Sequence, residues 1–191
     1  MKMNAPLAYR VRPHTLDDII GQKHLVGEDG FLRHLVESNT LVSMIFYGPP
    51  GSGKTTLAEA FSRSMDAHLI KLNAVTSNKK EMEAAIEESR LFPHPIIIMD
   101  EVHRLSKDKQ DLLLPFIESG TIYLIGATTA NPYIAINPAI RSRCHLLEVK
   151  PLTQKEIIEG IHRVIELPNG LNNMYTFREF NHSMNKQYVY L

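Results

Sequence analysis

Short apolar runs along the chain alternate with longer segments in which apolar residues recur at helical spacing. The apolar runs predict five strands, at 41–47, 69–72, 96–99, 121–127 and 146–149. The helical segments lie at 31–38, 53–65, 78–91, 106–118 and 153–166. Strands that alternate with helices predict an α/β fold, in which a parallel five-stranded sheet is covered by helices on both faces.

The first predicted strand leads directly into a glycine-rich segment, residues 48–55, which reads Gly-Pro-Pro-Gly-Ser-Gly-Lys-Thr. It fits the phosphate-binding loop G-x-x-x-x-G-K-[ST] at every fixed position. A strand before the loop and a helix after it would aim backbone N–H groups at an anion, which disfavours a chance glycine-rich turn. Lys54 is expected to reach the β- and γ-phosphates, and the Thr55 hydroxyl to hold Mg²⁺. The other residues predicted to contact nucleotide here are Pro49, Pro50, Gly51, Ser52, Gly53 and Thr56.

A second motif follows the third predicted strand, where four apolar residues are succeeded by Asp100 and Glu101. Carboxylates at the carboxyl end of a buried parallel strand lie at the crevice where such sheets bind ligands. We predict that Asp100 holds Mg²⁺ through water and that Glu101 polarises the attacking water. A solvated acidic turn is the alternative. The adjacent pair favours ATP hydrolysis over storage, because water activation needs a base whereas binding needs only the first carboxylate.

Polar residues also end the second and fourth predicted strands. Thr128, Thr129 and Asn131 follow the fourth strand, where a side chain can hydrogen-bond the γ-phosphate or the attacking water; an ordinary turn is the alternative. Asn73 ends the second strand, and we hypothesise that it holds Glu101 inactive, with capping of its own loop as an equal alternative.

Two arginines, Arg141 and Arg143, lie between the fourth and fifth predicted strands. A guanidinium there would point away from its own nucleotide, toward a neighbouring subunit, where arginine stabilises charge on a transferring phosphoryl group. A solvated surface pair is the alternative. His103 follows the acid pair, and the chain has no Cys/His spacing typical of a metal site, so we interpret His103 as a supporting or surface residue.

The composition bears on the partners and the cellular location of the protein. The 191 residues contain 21 basic and 21 acidic side chains, so no global basic field demands nucleic acid, although a local patch stays possible. Cys144 is the sole cysteine, which excludes an intramolecular disulfide and fits a reducing cytosol. No apolar leader or membrane-length run is present, and we expect a cytoplasmic protein.

These motifs together resemble an AAA+ ATPase and, more narrowly, the replication-associated recombination protein A family, close to clamp-loader and Holliday-junction motor subunits. The resemblance covers about residues 5–166, and its most specific segments are 12–25, 100–104, 126–132 and 142–144. It implies that Ile19, Ile20 and Gly21 line an adenine pocket. It also implies that Thr129 is the sensor of the fourth strand, with Thr128 as its close competitor, and that Arg143 is an arginine finger for the next subunit.

The same resemblance implies a three-layer phosphate-loop fold, ATP and Mg²⁺ as cofactors, and DNA-stimulated hydrolysis by ring-like homo-oligomers. Its implied partners are DNA forks, single-stranded regions or ends, single-strand-binding protein and the replisome. Three functions are open: replication-fork maintenance or recombination, clamp loading or Holliday-junction branch migration, and nucleotide binding without turnover.

The expected domain order is a lead-in on the adenine side (1–40), the ATPase core (41–150), the start of a lid helix (151–167) and an atypical tail (168–191). Family members continue into a helical lid and an oligomerisation domain. We expect the lid to be missing or incomplete here, because the composition changes sharply after residue 167. The tail is interpreted as disordered or frameshifted sequence, with a terminal helix anchored by aromatic residues as the alternative.

Overall fold

A computed structural model of the chain describes residues 6–167. Its central sheet has five parallel strands in the order β2-β3-β4-β1-β5. The strands are β1 (Met44–Tyr47), β2 (His68–Asn73), β3 (Pro95–Asp100), β4 (Tyr123–Thr128) and β5 (His145–Glu148). The predicted α/β class and the five parallel strands are confirmed.

Nine helices accompany the strands within residues 6–167. They are α1 (Leu7–Arg10), α2 (Lys23–Val26), α3 (Phe31–Glu37), α4 (Lys54–Ser64), α5 (Lys79–Ser89), α6 (Lys107–Glu118), α7 (Pro132–Ala135), α8 (Pro138–Arg141) and α9 (Gln154–Glu166). Two short 3-10 turns lie at Leu16–Asp18 and Val102–Arg104.

The sheet is buried on both faces because successive side chains of a strand point to opposite sides. In β3, Ile96 and Ile98 pack with α3 and α4, whereas Ile97 and Met99 pack with α5 and α6. All four side chains are at most 1% exposed. This arrangement explains why β3 reads as an unbroken apolar run, and it gives the three layers of the fold.

The register aligns the carboxyl ends of the strands at one edge of the sheet. Tyr47 lies opposite Thr128, Met99 opposite Gly126, and Asn73 opposite Asp100. The first predicted strand was too long at its start, since β1 begins at Met44. Ser43 there accepts a hydrogen bond from the Leu124 N–H through its side chain instead.

Capping side chains begin several of the helices. Thr153 and Glu156 form a capping box at α9, and Asn78 with Glu81 forms another at α5. Gly120 follows α6 with a left-handed φ of 69°. Ser106 stands at the N-cap of α6, but its side chain makes no capping hydrogen bond.

Residues 13–152 form one compact unit, which contains the whole sheet, while α1 and α9 belong to a second unit. The amphipathic α9 leaves Ile157 and Ile158 nearly half exposed. Within residues 6–167, no helix combines the length and the apolar character needed to cross a bilayer. The predicted tail at 168–191 lies outside the described residues, and the domain boundaries stay predictions.

Candidate functional site

The glycine-rich loop joins β1 to α4 at the carboxyl edge of the sheet. Gly48 adopts a φ of 154°, and a Cβ there would collide with the Val149 carbonyl oxygen. Gly53 adopts a φ of 90° immediately before α4, and its carbonyl accepts the Leu57 N–H at 2.8 Å. The backbone can therefore curl tightly and then enter the helix, so that the N-terminus of α4 opens toward the loop.

Lys54, the first residue of α4, is only 8% exposed. Its Nζ donates to the carbonyl oxygens of Gly48 at 3.0 Å and Pro49 at 2.8 Å. Burial lowers the pKa of Lys54, and the carboxylates of Glu101 and Asp100 oppose that shift. The ammonium group is thus held under the loop, within electrostatic reach of the acid pair.

The acid pair lies where β3 ends. Asp100 is the last residue of the strand, and its Oδ1 accepts the Glu101 N–H at 3.1 Å. Glu101 adopts a left-handed backbone with φ 51° and ψ 42°. Such a conformation costs a residue other than glycine about 1–3 kcal/mol, and residues held this way cluster at functional sites.

Both motifs border one cleft of about 390 Å³. The residues that line it are Pro50, Gly51, Gly53, Lys54, Thr55, Thr56, Asp100, Glu101 and Thr129. The Thr55 hydroxyl and the Asp100 carboxylate supply oxygen ligands, which Mg²⁺ prefers, so these residues fit the metal and would hold it. The chemistry that this arrangement can perform is polyphosphate binding beside a carboxylate base.

A second, more apolar cleft of about 160 Å³ adjoins the same loop. Ile19 and Ile20 line it together with Leu57 and Val149, and Ser52 also borders it. Apolar walls of this kind suit the faces of a flat heterocycle.

Gln22 lies in the segment 12–25 that carries the resemblance but was assigned no role there, and it fixes the lead-in beside this cleft. Its side chain donates to the Lys150 carbonyl at 2.6 Å and accepts the Lys150 N–H at 3.0 Å. Gly21 precedes it with a φ of 68° and is not among the lining residues of the cleft. A buried glutamine that pairs with one distant peptide unit leaves no recognisable sequence pattern.

The two threonines that end β4 have different surroundings. Thr129 is exposed and lines the larger cleft. Thr128 is 1% exposed, and its Oγ1 lies 2.7 Å from His103 Nδ1 and accepts the Ala130 N–H. Their positions favour Thr129 as the residue that would face the phosphate. Thr128 does not line the cleft and contacts His103 and the Ala130 N–H instead.

Asn73 stabilises its own loop. Its Oδ1 accepts the N–H groups of Val75 at 2.8 Å and Thr76 at 3.3 Å. The observed contact of Glu101 is instead with His103, whose Nδ1 lies 3.3 Å from Oε2. The geometry therefore favours the capping alternative for Asn73 and brings His103 into the site.

Arg143 is not among the residues that line either cleft. Its guanidinium donates to the Ala139 carbonyl at 2.6 Å and forms an ion pair with Glu118 of α6. Arg141 donates to the Tyr133 carbonyl and stands 5.9 Å from the centre of the Tyr133 ring. Arg141, which ends α8, is partly exposed and Arg143, two residues further on, is exposed, which fits either a contact with another chain or a surface pair.

Comparison with known proteins shows the family to which the chain belongs. The family described as "ATPase family associated with various cellular activities (AAA)" matches residues 44–152, more than half of the chain. The chain belongs to this family. The matched segment contains the phosphate loop, the acid pair and both threonines, and the sequence-based recognition of the class is confirmed.

Individual relatives are similar to the chain over most of its length. Replication-associated recombination protein A of Bacillus subtilis (strain 168) is 54% identical over 160 residues, which are 84% of this chain and 38% of that protein. The protein of the same name from Escherichia coli (strain K12) is 44% identical over 165 residues, covering 84% and 37%. The predicted resemblance is confirmed, and the chain spans less than two fifths of the length of these relatives.

Solved structures give the same fold. The "Holliday junction branch migration motor" RuvB of Thermotoga maritima superposes with a TM-score of 0.68 at 26% identity, covering 82% of this chain and 54% of that one. A point variant of the same motor gives a TM-score of 0.69 at 27% identity with the same coverage. The predicted phosphate-loop sandwich is thereby confirmed.

Proposed function

We propose that the chain binds Mg²⁺–ATP and hydrolyses it in the larger cleft. The observation that carries this proposal is the convergence of the phosphate loop and the acid pair on one 390 Å³ cleft. Lys54 and the loop N–H groups would bind the polyphosphate, and Thr55 with Asp100 would hold the metal, which would supply positive charge to the phosphates. The apolar cleft beside Ile19 and Ile20 takes the adenine ring, with Gly21 shaping the turn between lead-in residues.

In the proposed reaction Glu101 orients a water molecule for in-line attack and accepts its proton. Glu101 borders the cleft, has a left-handed backbone and contacts His103 through its carboxylate. Thr129 donates a hydrogen bond to the γ-phosphate or to the attacking water. Arg143 lies outside both clefts of its own chain, and in this proposal it stabilises the transferring phosphoryl group of a neighbouring subunit.

The biological setting that we propose is DNA replication-fork maintenance and recombination. It is supported by relatives named for replication-associated recombination, of which this chain covers 38% and 37% of the length. Forked or single-stranded DNA would stimulate turnover in a homo-oligomer, with single-strand-binding protein and the replisome as further partners. A cytoplasmic location also stays a prediction.

A branch-migration motor is the second candidate, favoured by the superposition on RuvB. The two candidates share the ATP site and differ in the DNA that stimulates it. Steady-state ATP hydrolysis should therefore be measured on the purified chain without DNA, with a fork carrying a single-stranded arm, and with a four-way junction. Stronger stimulation by the fork supports the first candidate, whereas stimulation by the junction alone supports the second. Absence of turnover under all three conditions, with ATP still bound, would overturn the hydrolysis proposal.

A further inference from the structure

His103 stands between the proposed base and the end of β4. It lies in the 3-10 turn that follows the acid pair, and its ring is partly buried. Its Nδ1 is 2.7 Å from Thr128 Oγ1 and 3.3 Å from Glu101 Oε2. Nδ1 of His103 therefore faces two oxygen atoms. One belongs to Thr128, the last residue of β4, and the other to Glu101, which directly follows β3.

The position of the proton on His103 follows from these two neighbours. An ionised carboxylate only accepts hydrogen bonds, so a bare Nδ1 would set its lone pair against Glu101. A proton on Nδ1 is attracted to both oxygens instead. The Thr128 hydroxyl already accepts the Ala130 N–H, and its second lone pair can accept from His103.

We propose that His103 is a positioning residue, which carries a proton on Nδ1 and uses it to hold the Glu101 carboxylate beside Thr128. The base and the end of β4 then move as one unit. Thr129, the next residue, lines the phosphate cleft, so the angle of Glu101 is tied to the strand that faces the γ-phosphate. Misplacement of a catalytic group by about 1 Å is enough to lower a rate on the order of a hundredfold.

This inference deepens the proposed function, because it rests on Glu101 acting as the base. Its geometric part can be tested without turnover. The full chain should be labelled with ¹⁵N-histidine, and the His103 signals identified by their loss in His103→Asn. At pH 8 we expect the labelled ring to carry its proton on Nδ1, the nitrogen that faces Glu101 and Thr128. A neutral ring with its proton on Nε2 would overturn the proposal.

The kinetic part compares two amides of different reach. The amide nitrogen of asparagine falls near the place of Nδ1, whereas that of glutamine falls near Nε2. We expect His103→Asn to keep kcat within about threefold, and His103→Gln and His103→Ala to lose it by roughly 10- to 100-fold. The Kd for Mg²⁺–ATP should change little in all three variants.

Equal losses in His103→Asn and His103→Gln would overturn the positioning role, as would a loss confined to ATP affinity. Thr128→Val supplies the second corner of a double-mutant cycle. It should lower kcat, and it should make the subsequent His103→Ala change less costly than in the wild type. If the wild-type chain has no turnover, the proposed function fails, while the labelled histidine still decides the placement of the proton.

Discussion

Gly126 of β4 lies directly against Val102, the first residue of the turn that follows the acid pair. A Cβ on Gly126 would stand 2.8 Å from Val102 Cγ1 and 3.3 Å from Ile45 Cγ1. Such distances are shorter than carbon atoms tolerate, so the turn can pack on the strand only because residue 126 has no side chain. Gly126 thus fixes how close Glu101 and His103 come to the end of β4.

Gly126→Ala is expected to push the turn away from β4 and to misplace Glu101. Overpacking of this kind costs about 1–3 kcal/mol of stability, and turnover should fall by more than ATP affinity. The matched control is the double variant Gly126→Ala with Val102→Ala, which removes the atom that the new methyl group meets. Partial recovery of kcat in the double variant, measured beside thermal unfolding, would confirm the steric cause. No recovery, with both proteins folded, would contradict it.

Arg143→Ala is expected to lower turnover by about 10³-fold if the guanidinium serves a neighbouring subunit. Glu101→Gln should be inactive for a different reason, because its own cleft lacks the base. In a mixture of the two variants, an intact cleft of one can receive the arginine of the other. Activity should therefore reappear on mixing.

Arg141→Ala is the control for this experiment, since Arg141 contacts Tyr133 of its own chain. It should keep most of the wild-type turnover and need no complementation. A mixture of Arg143→Ala and Glu101→Gln that stays inactive, although the chains associate, would show that Arg143 does not act between subunits.

Cys144 should react slowly with alkylating reagents in the folded protein. Burial raises the pKa of its thiol to about 12, and the positive charge of Arg143 opposes that rise only in part. Because the thiolate is the reactive form, alkylation at pH 8 should be slower than in urea by roughly 10³-fold, and it should accelerate as the pH approaches 12.

The raised pKa also links Cys144 to stability. The unfolded thiol ionises near a pH of about 8.5, so the unfolded state loses its proton first and folding stability declines as the pH rises from there toward 12. Cys144→Ala should remove that part of the decline in urea titrations. Equal alkylation rates in the folded and unfolded protein would contradict a neutral thiol that is partly buried in the folded protein.

The sequence predicts most of the fold because β1, β3 and β4 are buried on both faces. Strands buried in this way consist of nearly continuous apolar residues, which are visible in the sequence. It also predicts Lys54, Asp100 and Glu101, since backbone phosphate binding and a strand-end carboxylate pair require fixed residue types at fixed spacing. The first strand was predicted to start too early, because Leu41 and Val42 are apolar for packing on the core rather than for pairing.

Contacts between distant segments could not be predicted in the same way. The pairing of Gln22 with the Lys150 backbone joins residues 128 positions apart, and His103 meets Thr128 across 25 positions. Each contact depends on the register of two parallel strands or on a loop path, neither of which has a local pattern. The hypothesis for Asn73 shows the same limit, since its nearest partners proved to be its own loop.

Binding and turnover of Mg²⁺–ATP by the wild-type chain and Glu101→Gln, measured side by side with forked DNA present, test the proposed catalytic cleft. The variant keeps the phosphate loop and Asp100, so its Kd should match that of the wild type, while kcat should fall by about 10²–10⁴-fold because the base is gone. Equal turnover in the two proteins would contradict the assignment of Glu101 and the function built on this cleft.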